Sequence, residues 1–408
     1  MFFRSPLPSL GLLKTVTHVL AILLPMSWPC FVTYVLATDP PERPFDWTKL
    51  LTCLVLAFGL HQFARRAASG YYSPEFMQTL QRLASCRNVK YLLLALGATL
   101  CPLPLFSAPL TLGEPTAVPG TKGGFDFLQV DQQLHRLLAD HTGNKSLDVF
   151  NLPDGKLIKI IATGAAQGVA LDLAHDSYYV SVSDQKKLVE VDRRALDVSG
   201  SVDLPGPPDA LTYFPKTGMI YVGHDDGEDL WVIDPVARKI VATIPIPTAP
   251  EYILYDPQFD GLFQNIKSKP VTLVIDAKAN TVAQTWSTLP AEKPHGLAID
   301  PKTRRLFSAG GNGKLVVMDC TTGVCLKSVD IAPGVDQIAF DPGNQRIYCA
   351  SGQGKLSVLQ ETVEGAKSLG EVETPKGAHT LAVDPDTHSV WIAFAKEGVA
   401  YIAELKAL

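Results

Sequence analysis

A repeat of about 42 residues fills the larger part of this sequence, and it restricts the possible fold more than any other feature. The segments 296–319 and 337–360 align without a gap, with ten of 24 positions identical. The turn after the first strand of each unit recurs at steps of 41 to 44 residues, at Asp131, Asp172, Phe214, Asp256, Asp300, Asp341 and Asp384. Seven copies of one short unit therefore follow one another along the chain.

Each unit is expected to contain four short strands. In the fifth unit the runs GLAID, RLFSA, KLVVMD and CLKSVDI are separated by turns rich in Gly, Pro, Asp and Thr. Such short strands cannot bury an apolar face alone, so neighbouring units must cover it. Four-stranded repeats of roughly 40 to 50 residues are typical of propeller blades. The sequence thus predicts an all-β fold, a seven-bladed β-propeller of four-stranded blades.

The two ends of the repeat region predict how the ring closes. The last unit is one strand short, while PLTLGEPTAVPG at 109–120 precedes the first unit and looks like the end of another unit, CLKSVDIAPG. We expect the N-terminal strand of the mature chain to complete the last blade, because that pairing covers an exposed sheet edge.

With these repeats in view, residues 109–408 resemble the YVTN-type seven-bladed β-propellers, and GGFDFLQVDQQLHRLLADH at 123–141 is similar to the first blade of the bacterial YncE-like branch. The tetrapeptides LFSA, IYCA, YVSV and IYVG stand where the family has YVTN. The resemblance implies a periplasmic or secreted propeller that is used mainly for binding.

The first 108 residues have no counterpart in the repeats beyond a signal sequence. Residues 77–108 carry a basic run before an apolar stretch, which is the charge order of a secretory signal peptide. Residues 1–76 form an apolar extension, either an over-long gene prediction with translation starting at Met77 or genuine membrane anchors. Both interpretations place the domain 109–408 outside the cytoplasmic membrane, membrane-anchored if residues 1–76 are translated.

Charge and motifs argue against some classes of function. With 36 Lys and Arg against 41 Asp and Glu, the net charge is −5, so nucleic acid is not an expected partner. The sequence contains no Walker loop, no CxxCH haem motif and no GxSxG nucleophile elbow. We expect a monomer whose only contact with a membrane is through the N-terminal segment.

Polar residues are predicted to ring one mouth of the central channel. Each stands five residues before the repeated turn, where the strand nearest the axis begins: Asp126, Gln167, Asp209, Glu251, His295, Asp336 and His379. The loops between strands 2 and 3 add His141, Asp184 and His224 on the same face. Such a crowded ring predicts raised carboxyl pKa values, a bound cation, or filling by water and backbone donors.

Several interpretations of this ring stay open. The favoured one is binding of a protein, peptide or small polar ligand without chemistry. The alternatives are a metal-dependent hydrolase or lyase with a divalent metal such as zinc on His295, His379, Glu251 and Asp336, and a membrane-tethered scaffold. In a purely structural interpretation, the polar residues satisfy turn amides. No cofactor other than this metal is predicted, and whether the protein is an enzyme stays open.

Cysteines and charged turns carry three smaller predictions. Cys320 and Cys325 flank the turn TTGV and are expected to form a disulfide in an oxidising compartment. The residues that end four of the third strands are expected to form Asx turns: Asp192, Asp234, Asp276 and Asp319. The dispersed basic pairs are expected to lie on a solvated face: Lys186-Lys187, Arg193-Arg194 and Arg304-Arg305.

Overall fold

Short strands separated by tight turns make up residues 109–407, the part of the chain that the computed structural model describes. This part starts with two short strands, β1 (Thr111–Leu112) and β2 (Thr116–Ala117), and contains one 3-10 turn, Thr142–Asn144. The expectations for residues 1–76 and 77–108 fall outside the described residues. Across residues 109–407, no helix has the length and apolar character needed to cross a membrane.

Six blades are four-stranded antiparallel sheets whose strands follow chain order. Blades 1 to 3 comprise β3 (Phe127–Asp131), β4 (Arg136–His141), β5 (Ser146–Asn151), β6 (Leu157–Ile161), β7 (Ala166–Asp172), β8 (Ser177–Val182), β9 (Lys187–Asp192), β10 (Val198–Asp203), β11 (Pro208–Phe214), β12 (Met219–His224), β13 (Asp229–Asp234) and β14 (Lys239–Pro245). Blades 4 to 6 comprise β15 (Pro250–Tyr255), β16 (Gly261–Ile266), β17 (Val271–Asp276), β18 (Thr281–Ser287), β19 (Pro294–Asp300), β20 (Arg305–Gly310), β21 (Lys314–Asp319), β22 (Cys325–Asp330), β23 (Val335–Asp341), β24 (Arg346–Ser351), β25 (Lys355–Thr362) and β26 (Gly365–Glu373).

The seventh blade joins the two ends of the described chain. It contains β27 (Thr380–Val383), β28 (Val390–Lys396) and β29 (Val399–Lys406), and both β1 and β2 pair with the outer edge of β29. Thr111 lies opposite Lys406, and Thr116 lies opposite Ile402. The predicted closure of the last blade by the N-terminal strand is therefore confirmed, as is the seven-bladed propeller itself.

The hydrophobic core consists of separate layers between neighbouring blades. Seven clusters of buried apolar side chains occupy the seven interfaces between blades, including the one between blades 7 and 1. Leu138 and Val149 of blade 1, for example, pack against Tyr178 and Val180 of blade 2. Each blade thus supplies the apolar cover that its neighbour lacks, which is how repeats of this kind gain stability. The first strand of each blade contacts those of its neighbours, so these seven strands line the axis.

The turn aspartates lie as predicted, whereas two arginines of the basic pairs form ion pairs between blades. The predicted Asx turns are present, because the Oδ1 atom of each aspartate accepts hydrogen bonds from the backbone N–H groups that follow it: Asp192, Asp234, Asp276 and Asp319. The predicted solvated face is wrong for Arg193, whose side chain is only 1% exposed and forms a bidentate pair with Asp131 of blade 1. Arg304 likewise pairs with the buried Asp256 of the preceding blade at 2.7 Å.

The predicted disulfide between Cys320 and Cys325 is not formed in this structure, where both residues are free thiols. A bulge in the pairing of β21 with β22 places Met318 opposite Cys325. Cys320 packs into the apolar layer between blades 4 and 5, whereas Cys325 is exposed. The two side chains therefore lie in different environments. Cys349 is a buried free thiol.

Candidate binding site at the channel mouth

The seven ring residues all lie where a first strand begins, on one face of the propeller. Five of them are the second residue of their strand, and Asp126 and His379 come directly before β3 and β27. Because the first strands surround the axis, their starts lie close together, and six of the ring side chains are each coupled electrostatically to at least one other: Asp126, Asp209, Glu251, His295, Asp336 and His379. The propeller thus brings together residues that are up to 253 positions apart, from Asp126 to His379.

The residues that follow the ring in three of the blades meet on the axis. Phe127 of blade 1 and Tyr252 of blade 4 have ring centroids 5.6 Å apart. Gln337 of blade 6 donates its side-chain N–H to the backbone oxygen of Leu128 at 2.9 Å and accepts the N–H of Leu381 at 3.0 Å. These side chains form a floor, so the polar mouth is a cup. A separate cavity of about 330 Å3, lined mainly by apolar first-strand residues, lies on the other side of that floor.

On one side of the cup, formed by blades 4 to 7, charges of opposite sign are matched. Asp336 lies 2.7 Å from Nδ1 of His379 and 3.7 Å from Nδ1 of His295. Glu251 lies 3.4 Å from Nδ1 of His295 and 3.0 Å from Nζ of Lys267. We call these five residues the paired half of the mouth.

The matched charges decide how the paired half titrates. Burial alone would raise the pKa of Asp336, but the nearby imidazole of His295 and the hydrogen bond from His379 hold it well below its usual range. The hydrogen bond to Asp336 raises the pKa of His379 against the effect of burial. For His295, burial favours a lower pKa, but Asp336 and Glu251 raise it above its ordinary value. The paired half therefore favours an ionised Asp336 beside protonated imidazoles.

On the other side, formed by blades 1 to 3, acidic and amide groups meet without such partners. Burial and the charges of Asp209, Asp336 and Asp140 raise the pKa of Asp126 well above its ordinary value. Burial and the charges of Glu251 and Asp225 raise the pKa of Asp209 to about 8, with Lys267 opposing this rise only in part. We call Asp126, Asp140, Gln167 and Asp209 the unpaired half.

Two members of the unpaired half carry buried atoms without hydrogen-bond partners. Asp140, on β4, is fully buried, and neither of its carboxyl oxygens has a partner among the described residues. Burial and the charge of Asp148 raise its pKa well above the ordinary value. The side-chain oxygen of Gln167 is also buried and without a partner there. Unsatisfied groups of this kind are costly. In the paired half, Oε1 of Glu251 and Nδ1 of His295 also lack hydrogen-bond partners within residues 109–407, but they lie at ion-pair distance from charged groups, which Asp140 and Gln167 do not.

Two charged residues of the mouth, Lys267 and Asp225, were missed by sequence reasoning. Each directly follows the second strand of its blade, and each donates its backbone N–H to the residue two positions before a ring residue, Ala249 or Pro207. The position is thus a repeated one, and it could have been found by counting the loops between strands 2 and 3 as the ring was counted. Nothing in the sequence distinguishes Asp140, because its position on β4 is that of an ordinary strand residue.

The three loop residues expected to add to the ring are engaged by their own loops. His141 is fully buried, with Nδ1 2.7 Å from Asp148 and its ring stacked on Phe125. Nδ1 of His224 lies 2.6 Å from Asp229. Asp184 accepts the backbone N–H of Ala165 at 2.9 Å and pairs with Lys145. For these residues the structural interpretation accounts for the contacts observed.

The divalent metal predicted on His295, His379, Glu251 and Asp336 stays a prediction. Within residues 109–407, no group of three or more His, Cys, Asp or Glu side chains has the arrangement needed to hold a metal ion. The Nδ1 atoms of both histidines face carboxylates, and the amine of Lys267 already lies against Glu251. These contacts turn the four residues toward one another and toward Lys267.

Comparison with solved structures identifies the fold. The chain is similar to hydrazine synthase from Kuenenia stuttgartiensis, with a TM-score of 0.60, 13% identity, and coverage of 70% of this chain and 98% of that chain. It is similar to a chain in the crystal structure of the mitotic checkpoint complex, with a TM-score of 0.61, 14% identity, and coverage of 72% and 92%. It is also similar to the RRP9 WD40 repeats, with a TM-score of 0.61, 9% identity, and coverage of 72% and 100%.

At these identities the similarity shows the fold alone, a seven-bladed propeller of the WD40-like type. No protein-family model matches the sequence, and no curated protein matches it. Propellers of this type serve many unrelated functions, so the function has to be argued from the mouth.

Proposed function

We propose that this chain is an exported binding protein of the YVTN type that takes a protein, peptide or small polar ligand into the mouth and performs no chemistry of its own. The observation that carries the proposal is the cup itself. Charged side chains from at least five blades converge above a floor of Phe127, Tyr252 and Gln337. A concave site with a few convergent polar groups is the usual form of a ligand site.

Two further observations support a binding role. The propeller fold is commonly a scaffold for protein partners, and one of the similar chains belongs to the mitotic checkpoint complex. The apolar layers between blades supply the cover that each blade lacks, and among the described residues the carboxyl groups of the unpaired half form no comparable link between blades. Their cost in desolvation is accounted for if a ligand binds there.

Site-specific photo-crosslinking in cells that express the full chain would test the role of the mouth. A photoreactive residue at Lys293, which is exposed beside the mouth, should capture a partner. The matched control is Gln345 in the turn between β23 and β24, on the opposite face. Both positions are exposed and both have a left-handed backbone, with φ of 50° and 58°.

We expect the adduct formed at Lys293 to disappear in Glu251→Gln and Asp336→Asn backgrounds. For a small ligand, native mass spectrometry of the purified full chain replaces the crosslink, and a bound mass should be lost in the same two variants. Two results would refute a ligand site at the mouth. One is equal capture at Lys293 and Gln345 with no bound mass. The other is capture and a bound mass that both persist unchanged in the Glu251→Gln and Asp336→Asn variants.

Export is the second part of the proposal, and it rests on the signal-like sequence at 77–108 and on the resemblance of the repeats. N-terminal sequencing of the protein isolated from its cells tests it directly. A mature terminus near residue 109, in a periplasmic or secreted fraction, is the expected result. A protein retained in the cytoplasm with residues 77–108 intact would contradict export, and a terminus before residue 77 in the membrane fraction would indicate a tethered protein.

A further inference from the structure

The unpaired half of the mouth lacks a positive charge that the paired half possesses. In the paired half, the ammonium group of Lys267 lies 3.0 Å from Glu251. In the unpaired half, the charged groups that act most strongly on Asp126 are all carboxyl groups: Asp209, Asp336, Asp140 and Glu251. Among these carboxyl groups, an added positive charge would be attracted from several sides at once.

We propose that the unpaired half binds an organic cation, a primary ammonium or guanidinium group, through Asp126, Asp140, Gln167 and Asp209. The inference rests on the proposed function and specifies the ligand of the same mouth. It has two independent supports. One is the excess of carboxyl groups, and the other is the set of buried acceptor atoms on Asp140 and Gln167 that have no donor among the described residues.

The buried atoms indicate what the ligand has to supply. A carboxylate only accepts hydrogen bonds, and a side-chain amide oxygen does the same. Asp140 is fully buried with both carboxyl oxygens unsatisfied, and its backbone oxygen accepts the N–H of Asp126 at 3.0 Å, so the two residues are neighbours. Donors on a ligand would satisfy these atoms, and charge-assisted hydrogen bonds from a cation are the strongest of that kind.

The geometry favours an organic cation over a metal ion. A divalent metal needs several ligand atoms converging at about 2.0 to 2.6 Å, and residues 109–407 contain no His, Cys, Asp or Glu group of that kind. An ammonium group carries three donors and a guanidinium group five, each of which reaches an acceptor at about 2.7 to 3.2 Å. Acceptors spread over one side of a cup therefore suit the larger cation, and Lys267 beside Glu251 shows that the mouth accommodates an alkylammonium group.

Binding of a cation should change the protonation of the mouth. Burial and the carboxyl groups of Glu251, Asp225 and Asp336 raise the pKa of Asp209 to about 8, and the amine of Lys267 opposes this rise only in part. Asp126 faces four carboxyl groups, and Asp140 faces Asp148. A bound cation stabilises the ionised carboxylates, so protons should leave the protein when the ligand binds near pH 7.

Isothermal titration calorimetry of the full chain with agmatine, which carries both cationic groups, tests the inference. We expect saturable binding whose enthalpy differs between phosphate and Tris buffers because protons are released. Asp140→Asn and Asp126→Asn should weaken binding by about tenfold or more. The matched control is Asp203→Asn at the end of β10 on the same face, where the side chain is 88% exposed, and it should bind as the wild type does.

A second arm identifies the source of the cation. Blocked tripeptides with a central Lys or Arg stand for the side chain of a partner protein, and agmatine stands for a free amine. Binding of either probe supports the inference, and preferential binding of one class identifies the source. Thermal unfolding of each variant shows that the fold is intact, and Gln167→Ala, at a half-buried position, provides an independent variant should Asp140→Asn fail to fold.

Several results would overturn the inference. One is absence of binding by agmatine and by both peptides, and another is equal weakening by Asp203→Asn. A third is tighter binding of calcium, magnesium or zinc chloride that depends on Asp126 and Asp140, because that identifies a metal ion as the ligand. If the crosslinks at Lys293 persist while these probes fail, the inference is wrong and the proposed binding function stands; if both fail, the binding function fails as well.

Discussion

The first strand of almost every blade has an acidic or polar side chain at each of its two ends. The two ends differ in how these side chains are paired. On the face away from the mouth, Asp131 and Asp256 are fully buried, and an arginine of the next blade pairs with each: Arg193 and Arg304. In the unpaired half of the mouth, carboxyl groups face other carboxyl groups, and the carboxyl oxygens of Asp140 have no hydrogen-bond partner among the described residues.

The difference shows that repetition of a residue type does not fix its role. A buried carboxylate with a bidentate arginine links two blades, since its charge and its lone pairs are both satisfied. Where carboxyl groups crowd together at the mouth, their pKa values rise, and their ionisation near neutral pH destabilises the fold. On the face away from the mouth, the buried pairs therefore link neighbouring blades, whereas the carboxyl groups of the unpaired half have no such partners in the described part of the chain.

The largest expected effect comes from removing a link on the face away from the mouth. Arg193→Ala leaves the buried carboxylate of Asp131 without its bidentate partner, and such losses cost about 3 to 5 kcal/mol. The free energy of unfolding, measured in denaturant at pH 7, should fall by that amount.

The adjacent residue provides the control for this experiment. Arg194 is 60% exposed and touches Asp176 at the surface, so Arg194→Ala should change the free energy of unfolding by less than about 1 kcal/mol. Equal losses in the two variants would show that the buried pair contributes no more than a surface pair, which would remove the contrast between the faces.

The next effect compares the same substitution at both ends. The folded pKa of Asp209 is about 8 against an ordinary value of 3.8, so ionisation of this group destabilises the fold increasingly as the pH rises from 4 to 8. Asp209→Asn should therefore stabilise the protein at pH 8 relative to pH 4, by about 1 to 3 kcal/mol.

Asp131→Asn should have the opposite sign. Although burial alone would raise the pKa of Asp131, hydrogen bonds from Arg193 and Tyr178 lower it, so its contribution is present above about pH 4 and is lost as the pH falls through the folded pKa. Chemical unfolding of both variants at pH 4 and pH 8 measures the difference. Destabilisation by both substitutions at pH 8 would contradict the distinction between the two ends.

A smaller effect concerns the paired half of the mouth. Asp336→Asn removes the hydrogen bond that raises the pKa of His379, so NMR titration of this imidazole should show its pKa moving down toward the ordinary value of 6.5. The stability that protonated His379 contributes is present below about pH 6.5 and is lost as the pH rises through its folded pKa. The exposed Asp203→Asn variant should leave the titration of His379 unchanged. If the pKa of His379 does not move in Asp336→Asn either, the hydrogen bond between Asp336 and His379 does not control that titration.

The fold could be predicted from the sequence because every repeat contains the turns and the apolar strands that a blade requires. Turn residues recur at the ends of short strands, and apolar runs recur where the neighbouring blade covers them, so the blade number, the Asx turns and the closure by residues 111–117 could be predicted. The ring positions could also be predicted, since strands around an axis start on one face.

Side-chain pairing between blades could not be predicted in the same way. Arg193 looks like a surface residue in a basic pair, but the turn places it over Asp131, 62 residues away in the sequence. In this structure the pairing of β21 with β22 places Met318 opposite Cys325, so the thiols of Cys320 and Cys325 are free and lie in different environments, which the turn sequence alone did not indicate. The loop position of Lys267 could be found by counting, but its residue type varies between blades, and only the geometry showed that its amine reaches Glu251.

The smallest expected effect separates the two faces by their response to salt. Repulsion among the carboxyl groups of the open mouth should be screened by added salt, whereas the buried pair of Arg193 and Asp131 is shielded from it. Raising sodium chloride from about 0.05 M to 1 M at pH 8 should therefore raise the free energy of unfolding by about 0.5 kcal/mol. In the double variant Asp126→Asn with Asp209→Asn this gain should disappear, because the carboxyl groups that repel one another have been removed. A salt response that is unchanged in the double variant would place the repulsion elsewhere on the surface and would weaken the case that the mouth is the destabilised end of the propeller.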